Sequence, residues 1–239
     1  MRFRSAAAPL LRSFVRLLAG AGLAACAAGA HANGYQYGDR GPYSYYTADP
    51  NERLLLGSVE GNHLNLLRQK TRHPDPYLVF GECDFVLGKF PNHPEALYLC
   101  TEQSATRAKK PEIGQRYLDR AVQLFPDDAS TQVIYGIYLQ RLGKTKLAVE
   151  KYRRALELDP ASRNAHYNLG LAYLSLKEYD RANAEAQQAY ALGHPSPGLR
   201  EGLKRAGKWH PLPAPAKAAE PAVPPAAPAP APAEGAAQK

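Results

Sequence analysis

Three cysteines are the residues best equipped for chemistry in this chain. Cys83 and Cys100 can join in a disulfide if the chain reaches an oxidising compartment, or sit buried as small apolar thiols. Metal binding is not expected, because neither a Cys-x-x-Cys pair nor a histidine pair of ligand spacing stands near them. The seven histidines are scattered, and His73, His93 and His194 each adjoin a proline in a turn. Catalysis needs a nucleophile with its base, paired carboxylates or a metal site. The chain has no H-E-x-x-H, no G-x-S-x-G and no phosphate loop of the G-x-x-x-x-G-K-[ST] type. Neither an enzyme nor a cofactor is therefore expected. Arginines, amides and tyrosines remain, and these side chains recognise carboxylates and backbone amides.

The third cysteine belongs to a different segment. Arg2, Arg4, Arg12 and Arg16 precede an apolar run from Leu17 to Ala25, and residues 1–32 hold no acid. A basic start, a short apolar run and small residues after it describe a secretory signal. Two endings compete. Leu23-Ala24-Ala25-Cys26 resembles a bacterial lipobox, which would attach lipid to Cys26 and place the chain at the outer membrane. Ala30-His31-Ala32 fits an A-x-A cleavage site and would release a soluble chain into the periplasm. Membrane association is expected only with lipid on Cys26. The full chain carries a net +8. Without residues 1–32 it keeps 26 basic residues against 22 acidic, a net of +4. That is an ordinary mixed surface, and nucleic-acid binding is not expected.

The elements that position these groups follow from a period. Phe90-Pro91, Phe125-Pro126, Asp159-Pro160 and His194-Pro195 recur every 34 or 35 residues. In residues 129–162, Tyr135-Gly136, Leu139 and Leu142 mark one helix, and Gly143-Lys144 breaks it. Ala148, Tyr152 and Ala155 then line one face of a second helix. Residues 163–196 repeat the pattern with Leu169-Gly170, Tyr173, Ala182, Ala186 and Ala189, and Gly193 suits a C-terminal cap. Residues 95–128 keep Leu118, Ala121 and Pro126 but have Glu102 in the glycine position. Residues 60–94 keep only Cys83, Val86 and Pro91.

This spacing of glycine, aromatic, alanine and proline resembles the tetratricopeptide repeat (TPR). The resemblance implies an all-α, right-handed α-solenoid of about four TPR-like helix pairs, closed by a C-terminal capping helix. Ser196 before Pro197 suits the start of that cap, with Leu199 and Leu203 as its apolar stripe and Trp209 packed against it. The expected order is a signal at 1–32, a Tyr-rich arm at 33–59, the solenoid with its cap at 60–210 and a disordered Pro/Ala-rich tail at 211–239. The turn-rich stretch from Asn33 to Gly57 is not expected to form a long helix; its tyrosines would cover the first repeat, lie in the groove or bind a partner. The tail would be extended and unable to bury a core.

In the family, the first helices of successive repeats line a groove that holds a protein or peptide. Mapped onto this chain, that groove takes Arg68, Arg72, Gln103, Arg107, Gln140, Arg141, Asn164, Tyr167 and Asn168. Of the family's cationic clamp for a chaperone tail, only Asn168 matches. The reading is an exported, non-catalytic scaffold in the bacterial cell envelope, or a pilotin-like lipoprotein anchored through Cys26.

Overall fold

The computed structural model describes residues 41–211. The signal segment with Cys26, the start of the arm and the tail from residue 212 lie outside the described residues. Every regular element within them is helical. Four helix pairs follow one another and a short helix closes the series. The first pair joins a long helix, α1 (Pro50–Val59) running through a π-turn into α2 (Asn65–Lys70), to α3 (Phe80–Lys89). The others are α4 (Pro94–Glu102) with α5 (Pro111–Leu124), α6 (Ala129–Arg141) with α7 (Thr145–Leu158), and α8 (Arg163–Ser175) with α9 (Tyr179–Ala191). The cap is α10 (Gly198–Arg205), which packs on both α8 and α9. No helix among the described residues is long and apolar enough to cross a membrane.

Small residues set the packing within pairs. α7 buries Ala148, Val149, Tyr152 and Ala155, a stripe at helical spacing. A Cβ on Gly136 of α6 would lie 2.3 Å from the Tyr152 ring, so the glycine is what lets that fully buried tyrosine lie flat between the helices. In the second pair the relation is inverted. Glu102 stands on α4 in the glycine position, and the small residue is Gly114 on α5. A Cβ there would meet Ser104 Oγ at 2.3 Å and the Thr101 backbone at 3.3 Å. The α4 helix also continues through a π-turn, Gln103–Arg107, which holds one residue more than an α-turn. Cys83 on α3 and Cys100 on α4 are joined by a disulfide, with S–S 2.11 Å and Cα–Cα 5.9 Å. It ties the first pair to the second.

Two sequence expectations change here. The extended arm stops at Asp49, because a helix occupies Pro50–Val59 within the stretch read as turn-rich. Asp49 accepts from the Asn51 and Glu52 amides, and Pro50 opens the helix. The residues that suggested turns are the helix-start signal. At the cap, the N-cap residue is Pro197 rather than Ser196. Ser196 instead donates its amide to His194 Nδ1 and accepts the Tyr190 hydroxyl on its carbonyl.

Trp209 packs edge-on against Tyr190, with the Arg200 guanidinium over both rings. Asn183 holds the next residue from both sides: its amide donates to the His210 carbonyl and its oxygen accepts the His210 N–H.

Candidate functional site

The first helices of the second, third and fourth pairs present one face to a common cavity of about 340 Å³. Pro94, Glu95 and Tyr98 come from α4, and Ser130, Val133, Ile134 and Ile137 from α6. Asn164 and Asn168 come from α8, with Ser162 at its N-cap. These positions recur at three- and four-residue intervals, as one helix face requires. Val133 and Ile134 are buried, whereas Tyr98 is 38% exposed at the wall. The result is an apolar floor with amides and hydroxyls around it.

The wall carries one charge, and it is paired. Arg68 on α2 donates from Nε and Nη2 to the two oxygens of Glu95, each at 2.6 Å. That hydrogen bonding holds the Glu95 carboxyl below its ordinary range despite partial burial. Such a wall suits an uncharged apolar side chain with its backbone read by Asn164 and Asn168.

The residues expected in the groove are distributed differently. Asn164 and Asn168 line the cavity, and Arg68 reaches it only through Glu95. Gln103 is buried and donates to the Thr71 carbonyl. Arg107 donates to the carbonyls of Thr71 and His73, so both stitch the first pair to the second. Arg141 pairs with Glu102 at 3.0 Å. Gln140 accepts the Tyr152 hydroxyl. Tyr167 stacks on His194, rings 3.8 Å apart, toward the cap. Arg72 is exposed on the turn after α2. The apolar wall residues Tyr98, Val133, Ile134 and Ile137 were missed. Their signal was the unusually apolar face of the run from Val133 to Tyr138, which reads equally as core.

The arm reaches the edge of this cavity. The Tyr43 amide donates to the Lys89 carbonyl and its ring lies 5.8 Å from Phe90. The Tyr45 amide donates to Asn92, and its ring covers His93 at 4.7 Å. The Tyr46 hydroxyl donates to Ser130, a cavity residue, at 2.9 Å. Residues 43–46 thus strap the N-terminal ends of α4 and α6. Among the described residues, no group of three or more His, Cys, Asp or Glu could hold a metal ion.

Residues 138–177 match a model described as a TPR repeat, and residues 164–192 one described as a tetratricopeptide repeat. The fold is that of the tetratricopeptide repeat. Among solved structures, PilF of Pseudomonas aeruginosa is similar at 16% identity, over 63% of this chain and 70% of that one, with a TM-score of 0.50. PilW, described as a widely conserved type IV pilus biogenesis factor, is similar at 19% identity, over 67% of this chain and 72% of that one, with a TM-score of 0.50. At these identities the likeness is one of TPR fold. The matched models fall on the two pairs whose repeat pattern is complete in the sequence.

Proposed function

We propose that the protein is an exported, non-catalytic TPR scaffold that holds a protein or peptide partner in the bacterial cell envelope. The observation that carries this reading is the cavity bounded by α4, α6 and α8, with an exposed tyrosine and two asparagines over an apolar floor. The signal-like pattern of residues 1–32 supports export. A photo-crosslinker placed at Tyr98 tests it in cells, with one at Glu150, an exposed residue outside the cavity, as control. The expected outcome is a defined partner captured from position 98 and absent at position 150. Equal capture at both positions, or none above background at either, removes the reading.

A second ending of the export route rests on Leu23-Ala24-Ala25-Cys26. Lipid on Cys26 would make the same scaffold an outer-membrane lipoprotein. Cys26→Ala would then move the protein from the membrane to the soluble fraction, and unchanged fractionation excludes the anchor.

A further inference from the structure

The net charge without residues 1–32 is small, but charge is unevenly placed along the solenoid. Alternating helices put every turn from a first to a second helix on one edge, and every return turn on the other. Turns on the first edge lie side by side. Arg107 reaches the carbonyls of Thr71 and His73, Tyr138 donates to the Pro111 carbonyl, and Lys177 and Lys208 line one cavity of about 410 Å³. Each of these turns, including the one after α10, projects a cation: Arg72, Lys109, Lys110, Lys144, Lys177 and Lys208. All are exposed, and none makes an ion pair among the described residues. The acids nearby do not balance them. Glu82 pairs with Lys70 and Glu178 with Arg181, which leaves Asp75, whose carboxylate caps the Tyr77 amide, and Glu112 and Asp180 in first helical turns, three acids against six cations.

Helix stability does not account for these lysines. Lys110 and Lys144 occupy the N-cap positions of α5 and α7, and no side chain caps either helix. Lysine offers no acceptor there and puts a cation at the positive helix end. On the opposite edge the caps of α1, α4 and α6 are Asp49, His93 and Asp128, each accepting a backbone N–H. Lys109 and Lys177 have φ of 53° and 60°, where the related turns use Gly143 and Gly207. A β-carbon is disfavoured in that region. Four lysines are therefore kept against local preference.

The same edge exposes apolar side chains beside the cations. Leu147, next to Lys146, is 47% exposed; Tyr77 and Leu78, just past Arg72, are 51% and 45% exposed. Cations recruit anionic headgroups, and adjacent apolar side chains enter the headgroup–acyl boundary. A soluble polyanion would have no use for the second set. We propose that this edge docks the solenoid on an anionic phospholipid surface. It shares no residue with the lining of the α4–α6–α8 cavity.

Sedimentation of the full chain with phosphatidylcholine vesicles, with and without phosphatidylglycerol, tests this. Binding should require phosphatidylglycerol and weaken as salt screens the cations. Lys110→Asp and Lys144→Asp should each weaken it at least about fivefold, the weight of one surface cation. They should also raise the melting temperature, since aspartate restores an N-cap. Leu147→Asn should weaken binding without changing its salt dependence. Arg163→Asp, on the opposite edge, should leave binding unchanged; residues 1–32 are common to every variant. Four outcomes overturn the proposal: no binding to anionic vesicles, equal binding to neutral ones, equal loss in Arg163→Asp and Lys144→Asp, or full binding by Leu147→Asn.

Discussion

Cys83 and Cys100 lie in the least regular part of the solenoid, where the repeat pattern is weakest, and both are fully buried. Their bond spans a sequence separation of 17. Closing a loop of that size contributes about 3 kcal/mol in the chain-entropy account. Cys100→Ser should lower the urea-unfolding free energy by about that amount, and added reductant should not lower the variant further. His93 supplies a pH response. Its Nδ1 accepts the Ala96 N–H at the start of α4, which requires an unprotonated nitrogen. Burial pulls its pKa down, against the attraction of Glu60 and Glu95. Tyr45 covers the ring, and Glu60 Oε1 lies 3.3 Å from Nε2. The unfolded chain therefore binds this proton more readily than the folded one. The associated stability is present above about pH 6.5 and is lost as pH falls through the lower folded value. Melting temperature should drop as pH falls below about 6.5. His93→Asn, which keeps a capping acceptor, should flatten that drop. The depressed carboxyls of Glu95, held by Arg68, and of Glu82, where Lys70 and His63 outweigh burial, act only at lower pH.

Between elements, the decisive quantity is the distance of approach within a pair. Tyr152 is fully buried against Gly136, and its hydroxyl is bonded to Gln140, so the ring has no space to yield. Burial pushes its pKa far up, as expected of a phenol inside the core. Gly136→Ala should destabilise the protein by about 1–3 kcal/mol, the usual cost of overpacking. Chemical denaturation measures it, and no loss would mean that α6 and α7 can separate freely. The second pair reaches the same closeness from the other side, through Gly114. Glu102 is then free to leave the interface and pair with Arg141 on the first helix of the next pair. The end pairs also share a device. His63 meets Glu82 at 2.9 Å and His166 meets Glu185 at 2.7 Å, each linking the first helix of a pair to its second across 19 residues.

Across the whole molecule, each pair touches chiefly its neighbours, so stability is shared in one dimension. α10 closes the last face through Leu199 and Leu203, both fully buried. Leu203→Ala should cost about 2–5 kcal/mol locally. Amide hydrogen exchange should speed up in α8 and α9 while α3 and α4 keep their protection. A uniform acceleration would show the solenoid to unfold as one unit.

The sequence by itself determined the helix-pair architecture, its period and the small core positions of the last two pairs. These depend on residues close along the chain: proline and glycine at turns, alanine and tyrosine at helical spacing. It misjudged Pro50–Val59, because proline and asparagine signal a turn and a helix start alike. The candidate site was less legible. Which polar side chains of a first helix face the cavity depends on rotation about the helix axis. Gln103 and Arg107 were mapped from the family's regular first helix, and the π-turn at Gln103–Arg107 breaks the 3.6-residue phase that the mapping assumes. The tertiary structure turned them onto the carbonyls of Thr71 and His73 and left Tyr98 at the wall. It also decided that the lysines of separate turns share one edge, since only stacked pairs bring residues one repeat apart side by side.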